Sequence, residues 1–370
     1  MNNKNFLTFF DCGFSKIRAG TFNKNNHDIA FYNDSNFFTD RLNLELKIQK
    51  IITSLEKDSN EYIENINLML DSPKMLSVGI SLSKKLDGSK LKKSNIQFLV
   101  QEAKQQILKC YVDHTITHIV INNYKIDDID YSYLPSEVNC DFISIDILFF
   151  CLPTDLVLYF KNIFSKSNIL VDQIICSSYA RSINYKNDLS LSGHMSFIDV
   201  GFNRTSVVSY FNDKILSLDI LQVGGNHITK DISHVLEIDL KKSEQVKLNF
   251  VLNLTLLNNE DVSIEILEKI IFARTEEILE LCSKSIESNL HDELGKCKMV
   301  LMGEGSKILD NQHKDRISFS SDIDFLEETL EDVCQSGFRF IMGLNKQEVV
   351  VVPKRQIKEG FFEKLFHFFS

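Results

Sequence analysis

An α/β protein built from two related lobes is what this sequence predicts, and three observations predict it. First, an apolar run ending in Asp is followed by Gly, a polar turn and a second β-branched run, in Phe197-Ile198-Asp199-Val200-Gly201-Phe202-Asn203-Arg204-Thr205-Ser206-Val207-Val208. Second, the same order occurs near the N-terminus, in Leu7-Thr8-Phe9-Phe10-Asp11-Cys12-Gly13-Phe14-Ser15-Lys16-Ile17-Arg18. Third, Val300-Leu301-Met302-Gly303-Glu304-Gly305-Ser306 reads as a strand running into a Gly-x-Gly-Ser turn. Each Asp-x-Gly segment is a hairpin whose turn leaves backbone N–H groups facing an anion. The Asp that ends each first strand is suited to hold a metal ion through water. Two such hairpins far apart suggest two lobes clamping a phosphate chain. The glycines of the third segment let backbone come close to a flat purine or its phosphates.

Bulk properties narrow the class. At 370 residues the chain is long enough for two or three domains with a large core. A formal net charge of −10 argues against non-specific nucleic-acid binding. The eight cysteines show no CxxC pair and no zinc-type spacing, so they read as buried, reduced thiols of a cytoplasmic protein. The apolar start stops at Asp11, too early for a secretory signal, and no stretch has the length of a transmembrane helix.

Taken in order, the pattern predicts strands from Phe6 to Tyr32, then a strand running into a helix from Asp40 to Glu56. Asn67–Leu70 and Met75–Leu82 read as paired strands. Lys93–Tyr111 reads as a helix with Ser94 as N-cap and Ile96, Leu99, Val100, Ala103, Ile107 and Leu108 on one apolar stripe. Strands at Thr117–Ile121 and Phe142–Phe150 complete a small α+β insert over 66–152. Helix, strand and helix follow at Thr154–Ser167, Ile169–Ile175 and Ser177–Asn184. After the central hairpin come a strand at Ile215–Val223, a helix opened by Gly224-Gly225, and a short helix over Lys241–Asn249. A long amphipathic helix spans Ser263–Ser288, with Ile266, Leu267, Ile270, Ile271, Ile278, Leu279 and Leu281 inward. Phe325–Gly343 is mostly helical and Glu348–Val352 is a last strand.

The order of hairpin, hairpin and strand–Gly-x-Gly-Ser resembles the actin-like ATPase superfamily. Gly224-Gly225-x-x-Ile228-Thr229-x-Asp231-Ile232, followed by Ser243-Glu244-Gln245-Val246-Lys247, is similar to FtsA, the bacterial cell-division actin homologue. The resemblance implies an actin-like two-lobed ATPase fold with ribonuclease H-like lobes. It also implies an inserted α+β subdomain of the 1C type (SHS2-like) and a C-terminal amphipathic helix. The division it implies is 1–65 with 153–195 as lobe 1, 66–152 as the insert, 196–352 as lobe 2 (its 2B part near 248–295), and 353–370 as linker and targeting helix.

Carried onto this chain, the resemblance sets Asp11 and Asp199 around Mg²⁺. Gly13, Phe14, Ser15 and Lys16, with Gly201, Phe202, Asn203, Arg204 and Thr205, cradle the phosphates of ATP. Gly225, which opens the helix beside them, joins this nucleotide-binding set, Glu244 and Lys247 face the ribose, and Gly303, Gly305 and Ser306 face the purine. The chain departs from the family where Phe202, Asn203 and Arg204 replace Gly-Gly-Thr, Ser206 replaces an Asp, and Glu304 replaces a Gly. Arg204 either adds a phosphate contact or fills the site. Cys176–Arg181 offers no water-activating Gln or Glu, so nucleotide binding without efficient hydrolysis is the expectation.

The C-terminal Gly360–Ser370 places Phe361, Phe362, Leu365, Phe366, Phe368 and Phe369 on one helical arc behind Lys354, Arg355 and Lys358. That is the pattern of an interfacial anchor on anionic lipid; the plain alternative is a terminal helix packed on its own core. Ile271-x-x-Arg274-x-x-Glu277 resembles the family's 2B helix, where Arg274 and Glu277 would meet the C-terminal tail of FtsZ; the alternative is a solvated face with i,i+3 pairs. His227 and His234 lack a third ligand, and the lysines at 84, 85, 90, 92 and 93 read as a solvated turn or a contact in subunit polymerisation. The implied role is a non-enzymatic division protein on the inner membrane face that tethers FtsZ, self-associates into filaments and binds other division proteins. Two rivals stand beside it: a PilM-like actin homologue of type IV pilus assembly, and a phosphotransferase of the same superfamily.

Overall fold

The computed structural model describes residues 5–27, 29–36, 44–135, 138–189, 192–212, 214–251, 263–289, 297–309, 323–343 and 349–350. The predicted terminal helix at 360–370 and the linker before it lie outside these residues.

The first lobe begins with β1 (Phe6–Cys12), β2 (Lys16–Asn23) and β3 (Ala30–Asn36), an antiparallel meander. Helix α1 (Leu44–Ser59) follows, burying Leu44, Ile48, Ile51, Ile52 and Leu55 along one side. Its i, i+4, i+7 spacing is helical from its first described residue, and the start of the expected strand, 40–43, lies outside the described residues. Strand β4 (Asn65–Leu70) then runs parallel to β1. Chain order next brings the insert: β5 (Leu76–Lys90), α2 (Lys93–Cys110), β6 (His114–Ile126), β7 (Ile129–Tyr131) and β8 (Asn139–Pro153).

The expected pairing of 67–70 with 75–82 does not form. β4 is held between β1 and β9 (Leu170–Cys176), whereas β5 pairs with β8. Five successive buried positions in β4, Ile66 to Leu70, explain the difference, since a strand covered on both faces belongs in a parallel sheet. The insert therefore starts at β5 rather than at 66. In α2 the cap position is Lys92 rather than Ser94, and Leu108 is 47% exposed, outside the buried stripe.

From the insert the chain returns through α3 (Thr154–Lys166) to β9, then α4 (Ser177–Asp188). The second lobe repeats the first. β10 (His194–Val200), β11 (Thr205–Phe211) and β12 (Lys214–Leu221) form the meander, α5 (Gly225–Leu236), α6 (Leu240–Val251) and α7 (Ile264–Ser288) follow, and β13 (Lys298–Met302) and β14 (Ile323–Phe325) add in parallel. The sheet orders are β3-β2-β1-β4-β9 and β12-β11-β10-β13-β14, one topology used twice. Helix α7 has Ser263 as its N-cap, its side chain accepting from Ile266 N–H, but Ile266 itself is 44% exposed. Helix α8 (Leu330–Ile341) returns to the first lobe against α4, β1 and β2, and β15 (Val349–Val350) pairs with β6 of the insert.

Where insert and first lobe meet, His118 of β6 is buried among Phe150, Tyr179 and Phe340, and its Nε2 accepts the Cys176 N–H at 2.8 Å. Burial pushes its pKa from 6.5 down to about 3. A folded pKa below the unfolded one gives stability that is complete above about pH 6.5 and lost as pH falls towards 3. Between about pH 7 and about pH 5 the native state should lose roughly 2 kcal/mol to this group. Chemical denaturation at the two pH values measures it. His118→Gln, which cannot titrate, should flatten that slope; an unchanged slope would remove His118 as the cause.

Candidate functional site

Both hairpin turns close in the same way. Gly13 N–H donates to Lys16 O at 3.0 Å and Gly201 N–H to Arg204 O at 2.9 Å. Asp11 sits opposite Arg18 in the β1–β2 register, and Asp199 opposite Ser206 in β10–β11. The turns face each other across a narrow cleft. Its lining includes Asp11, Gly13, Phe14, Ser15, Lys16, Asp199, Gly201, Phe202, Arg204 and Gly303. The structure thus brings together predicted residues that are nearly 190 positions apart in sequence.

Arginines fill the centre of the cleft. Arg18 Nη1 donates to Asp11 Oδ2 at 3.0 Å and its Nη2 to Glu304 Oε1 at 2.8 Å. Ser177 Oγ takes the other Asp11 oxygen at 2.7 Å. Arg204 Nη2 donates to Asp199 Oδ2 at 2.8 Å and also to Asp71 Oδ2, while Nη1 donates to Ser206 Oγ at 2.5 Å. Arg181 Nη2 donates to Asp199 Oδ2, and Nη1 reaches both Glu328 oxygens at 2.9 Å. Glu328 also accepts from Tyr185 Oη at 2.7 Å and Gly303 N–H at 2.6 Å.

The pairing sets the charges. Burial works against ionisation of Asp199, but Arg181 and Arg204 outweigh it and hold the carboxyl below its ordinary range. Burial raises Asp71 more than Arg204 lowers it. At Glu304 burial is again opposed, by Arg18 and Lys307, and the carboxyl falls to about 2.

The residues expected to face a ribose are equally committed. Lys247 Nζ donates to Gly225 O at 3.0 Å and Thr229 Oγ1 at 2.8 Å, and pairs with Glu244 at 2.7 Å. Three acceptors use all three ammonium donors. Thr229 Oγ1 in turn donates to Glu244. Ser306 Oγ donates to Gly303 O at 2.7 Å. At the start of α5, Gly225 N–H donates to Gly201 O at 3.0 Å and Asn226 N–H to Phe202 O at 2.7 Å. These first-turn amides are the ones that would otherwise meet an anion. Thr205 lies inside the hairpin, its Oγ1 donating to Val223 O at 2.8 Å.

The glycines have a packing reason of their own. A Cβ on Gly224 would stand 2.5 Å from Gly201 O, and one on Gly305 would stand 2.7 Å from Val200 O. Gly303, at φ +91°, lies against Val200 and Asp199. These positions let β13 and α5 close on the second hairpin.

A magnesium ion does not fit between Asp11 and Asp199 as folded, because each carboxylate already carries a guanidinium partner. Of the described residues, no group of three or more His, Cys, Asp or Glu could hold a metal ion, and His227 and His234 form no such site. Arg204 was open between two roles in the sequence; in the structure it fills the site. Asp71, Arg18, Ser177, Arg181 and Glu328 escaped sequence reading. No local signal in the sequence marks Arg18 or Arg181, since β2 and α4 carry other polar and charged residues; only the structure shows α4 buried at every position from Ser177 to Lys186.

Away from the cleft, Arg274 of α7 is bidentate on Asp231 of α5, with Nε to Oδ2 at 2.6 Å and Nη2 to Oδ1 at 3.1 Å; Nη1 reaches Glu277 at 2.5 Å. Its predicted partner among tail residues would compete with both carboxylates. Of the cysteines, Cys110 is exposed, Cys297 is half-buried and the others are buried. No helix among the described residues is long and apolar enough to cross a membrane.

Known proteins resemble this chain in sequence over the second lobe and in overall fold. Residues 196–336, from β10 to within α8, match the model of the family described as Cell division protein FtsA. Cell division protein FtsA of Agrobacterium fabrum is 20% identical over 285 residues, covering 72% of this chain and 63% of that protein. The chain thus spans less than two thirds of that relative. FtsA of Buchnera aphidicola subsp. Acyrthosiphon pisum is 22% identical over 353 residues, 83% of this chain and 82% of its own. Among solved structures, the PilM-PilN type IV pilus biogenesis complex superposes with a TM-score of 0.62 at 12% identity, covering 88% of this chain and 89% of that one.

Proposed function

For this chain, which is FtsA-like and has the actin-like ATPase fold, we propose the role of a non-catalytic adaptor of the bacterial division machinery. It lies on the inner face of the cytoplasmic membrane at the division site, helps assemble the division ring, and holds FtsZ filaments there. The observation that carries this reading is the FtsA match over 196–336, which takes in most of the second lobe, its hairpin included. The cleft supports the non-catalytic part. Among the described residues, the carboxylates lining it, Asp11, Asp71, Asp199 and Glu304, are each bound to a guanidinium, so none of these is poised as a base towards an attacking water. The resemblance sets a nucleotide such as ATP between the two hairpin turns; with ion pairs already bridging them, adaptor work requires neither its turnover nor its presence for closure.

In this reading the aromatic helix of 360–370 enters the lipid interface, and the α7 face around Arg274 and Glu277 takes the acidic FtsZ tail. Head-to-tail self-association then multiplies weak contacts into avidity. Co-sedimentation of the full chain with anionic vesicles and an FtsZ tail peptide tests it. The peptide should sediment with the vesicles only when protein is present, and removal of 360–370 should cut the bound fraction about tenfold or more. Vesicle binding that survives the deletion would favour a second reading, a PilM-like homologue, for which the overall likeness to the PilM-PilN structure is the supporting observation.

A further inference from the structure

The ion pairs of the cleft join the two lobes. Arg204, in the second-lobe hairpin, reaches Asp71 just past β4 of the first lobe. Arg18 and Lys16 of β2 reach Glu304 of the second lobe, at 2.8 and 3.7 Å. Arg181 of α4 crosses to Asp199 at the end of β10 and also holds Glu328. Glu328 lies on the segment by which the chain returns from β14 to α8, and α4 is the helix by which it first leaves for β10. Arg181 therefore ties together the two chain crossings between the lobes.

All of these side chains except Glu304 and Lys16 are almost fully buried. Where a phosphate chain and its cation would present alternating charge to both hairpins, this cleft already contains alternating guanidinium and carboxylate. The departures at 204 and 304 supply one member of two of the crossing pairs. A polyphosphate entering here would have to separate Arg204 from Asp71, leaving a buried carboxylate without its partner. A divalent cation would meet carboxylates already neutralised.

We infer that in this chain arginine takes the place of the metal–nucleotide pair as the bridge across the cleft, so that the lobes close without nucleotide and without divalent cation. The inference rests on the fold and these ion pairs; it does not need the adaptor role, and vesicle or peptide binding leaves it untouched. Closure is maintained by groups the chain always carries, so it cannot be switched off by nucleotide exchange. Assembly that depends on a closed cleft becomes constitutive and answers to protein concentration and surface attachment instead.

Hydrogen exchange of the full-length protein, followed by mass spectrometry, tests this at segments 9–20, 68–75 and 197–208. The probes are EDTA alone, ATP with EDTA, and ATP with magnesium chloride. Protection in the three segments should agree within about twofold across all three conditions. Arg204→Met should speed exchange about tenfold in all three, and Glu304→Gln, at a half-exposed position, about threefold around 9–20. If Arg204→Met fails to fold, the Glu304→Gln comparison carries the test alone. A rise in wild-type protection of about tenfold or more with ATP and magnesium would overturn the inference, as would exchange in Glu304→Gln equal to that of wild type.

Discussion

Arg181→Met should lower the stability of this protein by about 3–5 kcal/mol, the range for removing one partner of a buried ion pair. The guanidinium is 5% exposed and serves two carboxylates, Asp199 and Glu328, themselves 2% and 5% exposed. Met fills a similar length of space but returns no charge, so Glu328 loses its guanidinium and Asp199 loses one of its two. Glu328 keeps only the Tyr185 hydroxyl and the Gly303 amide, and Asp199 keeps Arg204. Arg181→Lys should recover less than half of the loss, because a single ammonium cannot reproduce the fork that reaches both acids. Denaturant titration at fixed m-value measures the change.

The pH dependence of that loss has a definite sign. Burial alone would raise the Asp199 carboxyl, but the two arginines hold it below its ordinary value. A depressed folded pKa means stability that is fully present above about pH 4 and is lost as pH drops through the folded value. The gap between wild type and Arg181→Met should therefore be widest at neutral pH and narrow below about pH 4. A loss under about 1 kcal/mol at neutral pH would mean that the pair is not a significant support of the fold. A gap independent of pH would assign the loss to packing instead.

Gly303→Ala should be nearly as damaging, at about 2–5 kcal/mol, for two additive reasons. The residue has φ +91°, where a side chain is strained, and its added Cβ would stand 2.7 Å from Val200 O and press on Asp199 Oδ1. The neighbours are a strand backbone and an ion-paired carboxylate, and neither can yield cheaply. Gly79→Ala is the matched control: it sits in β5 with ordinary φ and nothing within 4 Å of its Cβ position, so it should change stability by no more than about 0.5 kcal/mol. Equal thermal shifts for the two variants would show that close approach at Gly303 is not what the glycine is for.

Much of the fold could be read from the chain because its signals are local. Alternation and Asp-x-Gly turns mark the β1–β2 and β10–β11 hairpins, and a Ser cap with 3.6-residue periodicity marks α7 within one residue of its start. The same patterns assign β4 to the wrong neighbour, since Ile66 and the apolar Leu68-Met69-Leu70 mark a strand but not which strand lies beside it, and the buried Asn67 between them breaks the apolar run. Periodicity puts Ile266 and Leu108 on apolar faces, yet both are exposed, because periodicity fixes a face and only packing decides how wide the covered stripe is.

What the sequence determined by itself was the pair of aspartate-tipped hairpins and the glycine turn that approaches them. Tertiary structure alone decided what those aspartates hold. The partners Arg18, Asp71, Arg181, Arg204, Glu304 and Glu328 come from six separate stretches of chain. Their meeting depends on how two sheets face each other, and no spacing along the chain records it. The physical reason is that a charge carries no periodicity. An apolar face is announced by its repeat, but an ion pair exists only where two surfaces meet and exclude the water that would otherwise solvate both sides.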